Sequence, residues 1–147
     1  MPPLTRWSCD SCGEDITDPE QAWVAFSDGP KEGASGWVIV HHNLYGKKCD
    51  PSEKSTIALS EAIGPNGLTN LLSFLSYGPI IRAKRSRNRV ADFDEFVDLI
   101  RRVQIPWYEE ARKRWYEEGT RDHVDLSDEV IPFRTESLEW IANQPTD

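Results

Sequence analysis

No apolar run in the 147-residue chain approaches the roughly 20 residues needed to cross a bilayer. The opening "MPPLTRWSCD" also lacks the basic start and hydrophobic segment that direct secretion. These absences make a cytoplasmic protein with no membrane partner the expectation. Cysteine is scarce. The three residues form a close pair and a third 37 positions later, unlike the even framework of a small secreted disulfide scaffold. Other signatures are missing too. There is no Gly-x-Ser-x-Gly elbow, and the glycine-rich "GPKEGASG" lacks the Lys-Ser/Thr ending of a phosphate-binding loop. No Glu-x-x-His accompanies the paired glutamates of "WYEEARKRWYEEG", and no internal repeat is present. No enzyme site is legible, so a non-enzymatic role is preferred.

Basic charge is also short, with 17 Lys and Arg against 25 Asp and Glu and a net charge of −8. Acidic bulk disfavours broad nonspecific binding to polyanions. The deficit is uneven: residues 82–89 carry five basic side chains and no acidic one. Arg82, Lys84, Arg85, Arg87 and Arg89 are therefore candidates for phosphate or nucleic-acid contact, set against the plainer reading of a solvated loop. No aromatic-interleaved platform for a single strand surrounds them.

Hydrophobic residues make up 38% of the chain and 15 are aromatic, enough for a core in one compact unit. "QAWVAF" (21–26) and "GWVIVHH" (36–42) are aromatic and β-branched, and "SDGPKEGASG" between them reads as a long hairpin connection. Such a hairpin is marginal alone and needs something to tie it down. A weak helical turn is expected around residues 57–63. Leu68, Leu71, Leu72 and Leu75 then follow helical spacing, with Asn66 available as a cap. Asp92 with Glu95 resembles a capping box ahead of a stripe formed by Phe93, Phe96, Val97 and Ile100. A helix is expected from Pro106 to Gly119, burying Trp107, Tyr108, Ala111 and Trp115. Glu109 with Lys113 and Glu110 with Arg114 would then pair on its wet side. A last helix, "TESLEWIANQ", packs Leu138, Trp140 or Ile141 on the body.

The chemistry lies in the first fifty residues. "WSCDSCGE" places Cys9 and Cys12 two residues apart, with Gly13 free to take the positive φ of a tight turn. "HHNLYGKKC" adds His41, His42 and Cys49 near the end of the second strand. A structural zinc site of Cys3His type is the favoured reading, because zinc takes four tetrahedral thiolate and imidazole ligands. A thioredoxin-like redox pair and coincidental thiols remain the alternatives. Neighbours in a strand face opposite ways, so one histidine joins the cysteines. His41 is preferred because it shares a face with Trp37 and Ile39, and His42 is the alternate fourth ligand. Iron in place of zinc stays open. His123, among acidic neighbours and without a nucleophile, is not assigned a catalytic role.

The ordered set "CDSCGE", "WVIVHHNLYGKKC", "GPNGL" and "IPWYEEAR" resembles a group of small, uncharacterised bacterial proteins. These begin with a zinc knuckle and continue into helices, and the likeness implies no established activity. The expected fold is α+β: a zinc-clamped antiparallel β-hairpin at residues 1–54 packed on a helical body at 55–147, as one compact unit. The expected function is a protein-interaction or adaptor module, with a protein partner or self-association. A nucleic-acid-binding regulatory protein using Arg82 to Arg89 is the alternative.

Overall fold

The computed structural model describes residues 2–29, 32–43, 48–51, 53–80, 90–126 and 133–145. It is an α+β protein whose antiparallel strands lie in the N-terminal part and whose helices lie in the C-terminal part. Strands β1 (Trp7–Ser8) and β2 (Asp15–Ile16) pair as a short ribbon. The larger sheet has β3 (Ala22–Gly29) between β4 (Gly33–His41) and β5 (Ser55–Ala58), all antiparallel. Helices α1 (Gly64–Leu72), α2 (Phe93–Gln104), α3 (Tyr108–Arg112), α4 (Glu118–Leu126) and α5 (Thr135–Asn143) follow. Among the described residues, no helix is long and apolar enough to cross a membrane.

The hairpin is longer than its composition suggests. The segment read as a connection is mostly strand, because pairing runs out to Gly29 opposite Gly33. The register slips by one residue between Ala25 and Ser27, so Gly36 and Trp37 together oppose Phe26. Gly36 supplies the left-handed φ of 66° that such a bulge requires. The two amides turned out by the bulge are not stranded. Glu95 Oε1 accepts from Gly36 N at 2.6 Å and from Trp37 N at 3.2 Å, which ties α2 to β4. Trp37 stacks on Phe26 at 4.3 Å between ring centres and meets Phe74 and Phe96 at 5.0 and 4.9 Å. These rings belong to the larger core, with Trp7, Ile16, Val24, Ile39, Leu59, Leu71 and Leu99.

Several helical expectations are corrected. Ile57 lies in β5, paired with Val24, and only Leu59–Glu61 forms a helical turn, of the tighter 3-10 kind. Helix α1 begins at Gly64, so Asn66 falls inside its first turn instead of capping it. Of the leucine stripe Leu71 is buried, whereas Leu72 and Leu75 are exposed, because the chain turns after Ser73 and sends Phe74 inward. Asp92 does cap α2, accepting from Asp94 N and Glu95 N at 3.0 and 3.3 Å. The buried face of α2 is Phe96, Leu99, Arg102 and Val103, while Phe93 is 65% exposed. The helix expected over 106–119 is broken. Trp107 takes φ 70°, α3 ends at Arg112, and Gly119 lies inside α4. The break is stabilised where the Thr120 hydroxyl donates to the Arg114 carbonyl at 2.6 Å. Tyr108, Ala111, Leu138 and Ile141 form a second, smaller core between α3 and α5, flanked by Trp107 and Trp115. Trp140 is exposed and stacks on His123 at 4.4 Å.

Candidate metal centre

The β1–β2 ribbon exists to carry a turn. Trp7 and Ile16 face each other across it and are both buried, which fixes the two ends of the segment holding Cys9 and Cys12. Within the turn Cys9 N donates to the Glu14 carbonyl and Gly13 N to the Cys9 carbonyl, each at 2.9 Å. Gly13 has φ 79°, a conformation that a side chain would strain. Asp10 N donates to the Ile39 carbonyl at 2.8 Å and Ile39 N returns to Asp10 Oδ2 at 2.8 Å, so the turn is sewn to β4. His41, the last residue of β4, is thereby brought to the cysteine loop. Cys49 is placed beside them next to Asp50, whose backbone exchanges reciprocal hydrogen bonds with the Asn43 side chain.

The ligand atoms of Cys9, Cys12, His41 and Cys49 all lie within 4.8 Å of one another, an arrangement able to hold a metal ion. All three cysteines are free thiols. His41 Nδ1 sits 3.4 Å from Cys12 Sγ and 3.9 Å from Cys49 Sγ. Its other nitrogen, Nε2, is 3.2 Å from the Asp15 carbonyl. A carbonyl oxygen can only accept, so this contact places the ring proton on Nε2 and leaves the Nδ1 lone pair facing the sulfurs. His42 points elsewhere: its ring lies 4.4 Å from that of Trp23, and its backbone N–H donates to the Gln21 carbonyl.

The thiols differ in acidity. Burial opposes ionisation of Cys9, but the backbone around Cys12, His41 and Ser11 and the Cys12 side chain outweigh it and bring its pKa down to about 6. For Cys49, burial and then the neighbouring Cys9 and Cys12 side chains work together, and its pKa rises to about 11. One thiolate is thus favoured and the next resisted, as expected where three sulfurs lie close together. Three thiols and an imidazole are soft to borderline donors suited to zinc or iron, and unsuited to magnesium or calcium, which take oxygen ligands.

Beside this cluster lies an ion network that sequence reasoning missed. Glu109, expected on a wet face beside Lys113, is 4% exposed and takes both oxygens to Arg102, at 2.7 Å from Nε and from Nη2. Arg102 is itself 2% exposed, and its Nη1 reaches Asp10 Oδ2 at 2.7 Å. Flanking charges raise its pKa further despite burial, which alone would lower it. The other expected pairs are replaced as well: Lys113 lies 3.8 Å from Asp15, and Arg114 bonds Glu117 at 2.6 Å. Glu110 is partly buried, and that burial pushes its carboxyl pKa upward. A signal for the network was present in the sequence. An arginine in phase with Phe96 and Leu99 on an apolar helix face demands a buried acid.

The basic residues Arg82, Lys84, Arg85, Arg87 and Arg89 lie outside the described residues. His123 is in α4 against Trp140, and among the described residues its Nε2 is buried without a hydrogen-bond partner. Compared with protein families, curated proteins and solved structures, the chain matches none, so the resemblance of its motifs assigns no family.

Proposed function

We propose that Cys9, Cys12, His41 and Cys49 hold one structural zinc ion, and that the protein is a cytoplasmic, non-enzymatic interaction module. The observation that carries this is the donor set: three thiol sulfurs and the Nδ1 of His41 within 4.8 Å, with Nε2 engaged by a carbonyl. Four protein ligands fill a tetrahedral zinc and leave no position for water or substrate, so the ion serves structure. Zinc in finger peptides contributes about 10–16 kcal/mol at neutral pH, ample to fix a two-residue ribbon with little core of its own. The interaction role draws on the helical surface. Phe93, Tyr116 and Trp140 are exposed there, and such aromatics serve as anchors for a protein partner or a second copy of the chain.

Metal content per chain, on protein purified without added metal and beside Cys9→Ser, tests the site. One zinc per chain, lost in the variant, is expected. Iron in its place would correct the metal but keep the ligands. No metal in reduced protein would overturn the reading and return the cysteine pair to redox chemistry.

A further inference from the structure

Asp10 lies inside the Cys9–Cys12 loop, between two proposed ligands. Its Oδ2 is held from both sides, by Ile39 N at 2.8 Å and by Arg102 Nη1 at 2.7 Å. Arg102 belongs to α2, and the rest of its fork reaches across the break in the helices to Glu109 on α3. The contact is doubled back onto the knuckle: Glu109 Oε1 accepts from Ser8 N at 3.0 Å, and Arg102 Nη2 donates to the Ser8 carbonyl at 3.2 Å. Trp7 Nε1 in turn donates to the Arg102 carbonyl at 3.2 Å. The cysteine loop, α2 and α3 therefore meet at one buried guanidinium.

We propose that Asp10 and Arg102 are positioning residues for the metal loop, and that through them metal occupancy and the seating of α2 and α3 are thermodynamically linked. This rests on the metal reading above and adds how that site is regulated. Asp10 is part of the loop, so the loop's conformation sets where its carboxylate sits. A bound ion fixes Cys9 and Cys12, and so holds the Asp10 carboxylate where Arg102 can pair with it. Loss of the ion frees the loop and leaves a buried guanidinium short of one anion, a strongly unfavourable state that relaxes by loosening the Arg102–Glu109 contact. The effect is reciprocal, since any coupling that strengthens metal binding strengthens the helix contact by the same factor. Metal occupancy thereby sets the order of α3, whose Tyr108 and Ala111 form half of the smaller core.

The test uses cobalt(II) as the probe, titrated against a competing chelator into the full chain and into Asp10→Asn. Asparagine keeps an acceptor for Ile39 N–H but drops the charge facing Arg102. A loss of about 10- to 100-fold in cobalt affinity is expected, the usual cost of removing a partner outside the ligand set. The sulfur-to-metal and d–d absorption bands should keep their shape, because the four ligands are unchanged. Arg102→Met combined with Glu109→Gln removes both buried charges together, and adding Asp10→Asn to that pair should cost nothing further. In the unaltered chain, removing the metal should speed hydrogen exchange at Ala111 N–H, which donates to the Trp107 carbonyl at 2.9 Å. In Asp10→Asn it should not. One cobalt bound per chain with equal affinity in both proteins would overturn the link while leaving the metal site standing. No cobalt bound by the unaltered chain would remove the metal reading and this inference with it.

Discussion

The two hydrophobic cores differ in how they are closed. The larger draws on every strand of both sheets and on α1 and α2, and its aromatic rings interlock from opposite sides. The smaller has four fully buried residues, Tyr108, Ala111, Leu138 and Ile141, on a five-residue helix and its partner α5. So few apolar groups cannot hold two helices alone, and polar straps ring this core. Arg114 donates to the carbonyls of Ala142, Gln144 and Pro145, and Gln144 donates to the Thr120 hydroxyl at 2.7 Å. Arg101 lies 4.3 Å over the Phe133 ring at the edge. The larger core is mostly apolar packing, with the buried Arg102–Glu109 pair at one side of it. The smaller is defined by its rim.

The largest effect should therefore come from the larger core. Phe96→Ala removes a ring that touches Trp37 and Phe74 and should cost about 3–5 kcal/mol. That is a large share of the 5–15 kcal/mol typical of a whole domain. Because α2 also carries Arg102, the loss should be global: in urea, far-ultraviolet circular dichroism and tryptophan fluorescence should shift to lower midpoints together. Retention of α5 amide protection after the sheet has melted would mean that the smaller core stands alone, against the comparison drawn.

Leu138→Ala should act locally. Its cost lies near the lower end for such a truncation, about 2 kcal/mol, because a thin core can collapse into the space. Hydrogen exchange should show Leu138 N–H, which donates to the Arg134 carbonyl, losing protection. The amides that pair β3 with β4 in the larger sheet should keep theirs. Equal loss at both places would show one cooperative unit and erase the distinction between the cores.

This difference also governs what the amino-acid sequence discloses. The cysteine-histidine set was legible because its residue types are rare and clustered, and the two strands because Val, Ile and Trp recur there. The hairpin's true length was hidden, since glycine at 29, 33 and 36 signals a loop by composition yet lies here in paired strand and at a bulge. Helix faces were harder. Leu72, Leu75 and Phe93 satisfy helical spacing but face solvent, because spacing finds a stripe without knowing where the chain turns. Glu109 was lost to a local rule. Lys113 is its neighbour one turn on, but the Trp107 break rotates α3 so that its acid faces Arg102 instead. Arg102, in phase with Phe96 and Leu99, signals a buried acid, but which acid it meets, across a helix break and back to Asp10, depends on tertiary structure.

The smallest effect tests one strap of the lesser core. Tyr108 hydroxyl donates to Asp98 Oδ1 at 2.5 Å, and Arg112 grips the same carboxylate at 3.0 Å. Burial, then the Asp98 hydrogen bond and charge, raise the phenol from its ordinary 10.0 to about 12. The neutral phenol is the form the fold prefers. Its contribution is therefore full below pH 10.0 and fades as pH rises through about 12. Tyr108→Phe keeps the ring against Trp115 and loses only this bond, worth about 1.5 kcal/mol, the low end for a charged acceptor because Arg112 shares the carboxylate. The stability gap between the two proteins should stay constant up to pH 10.0 and narrow above it, alongside loss of the phenolate absorbance step near pH 12 in the variant. A gap near zero at every pH would show that Asp98 and Arg112 hold the small core without the hydroxyl, leaving its closure to Arg114 and the packing of Leu138.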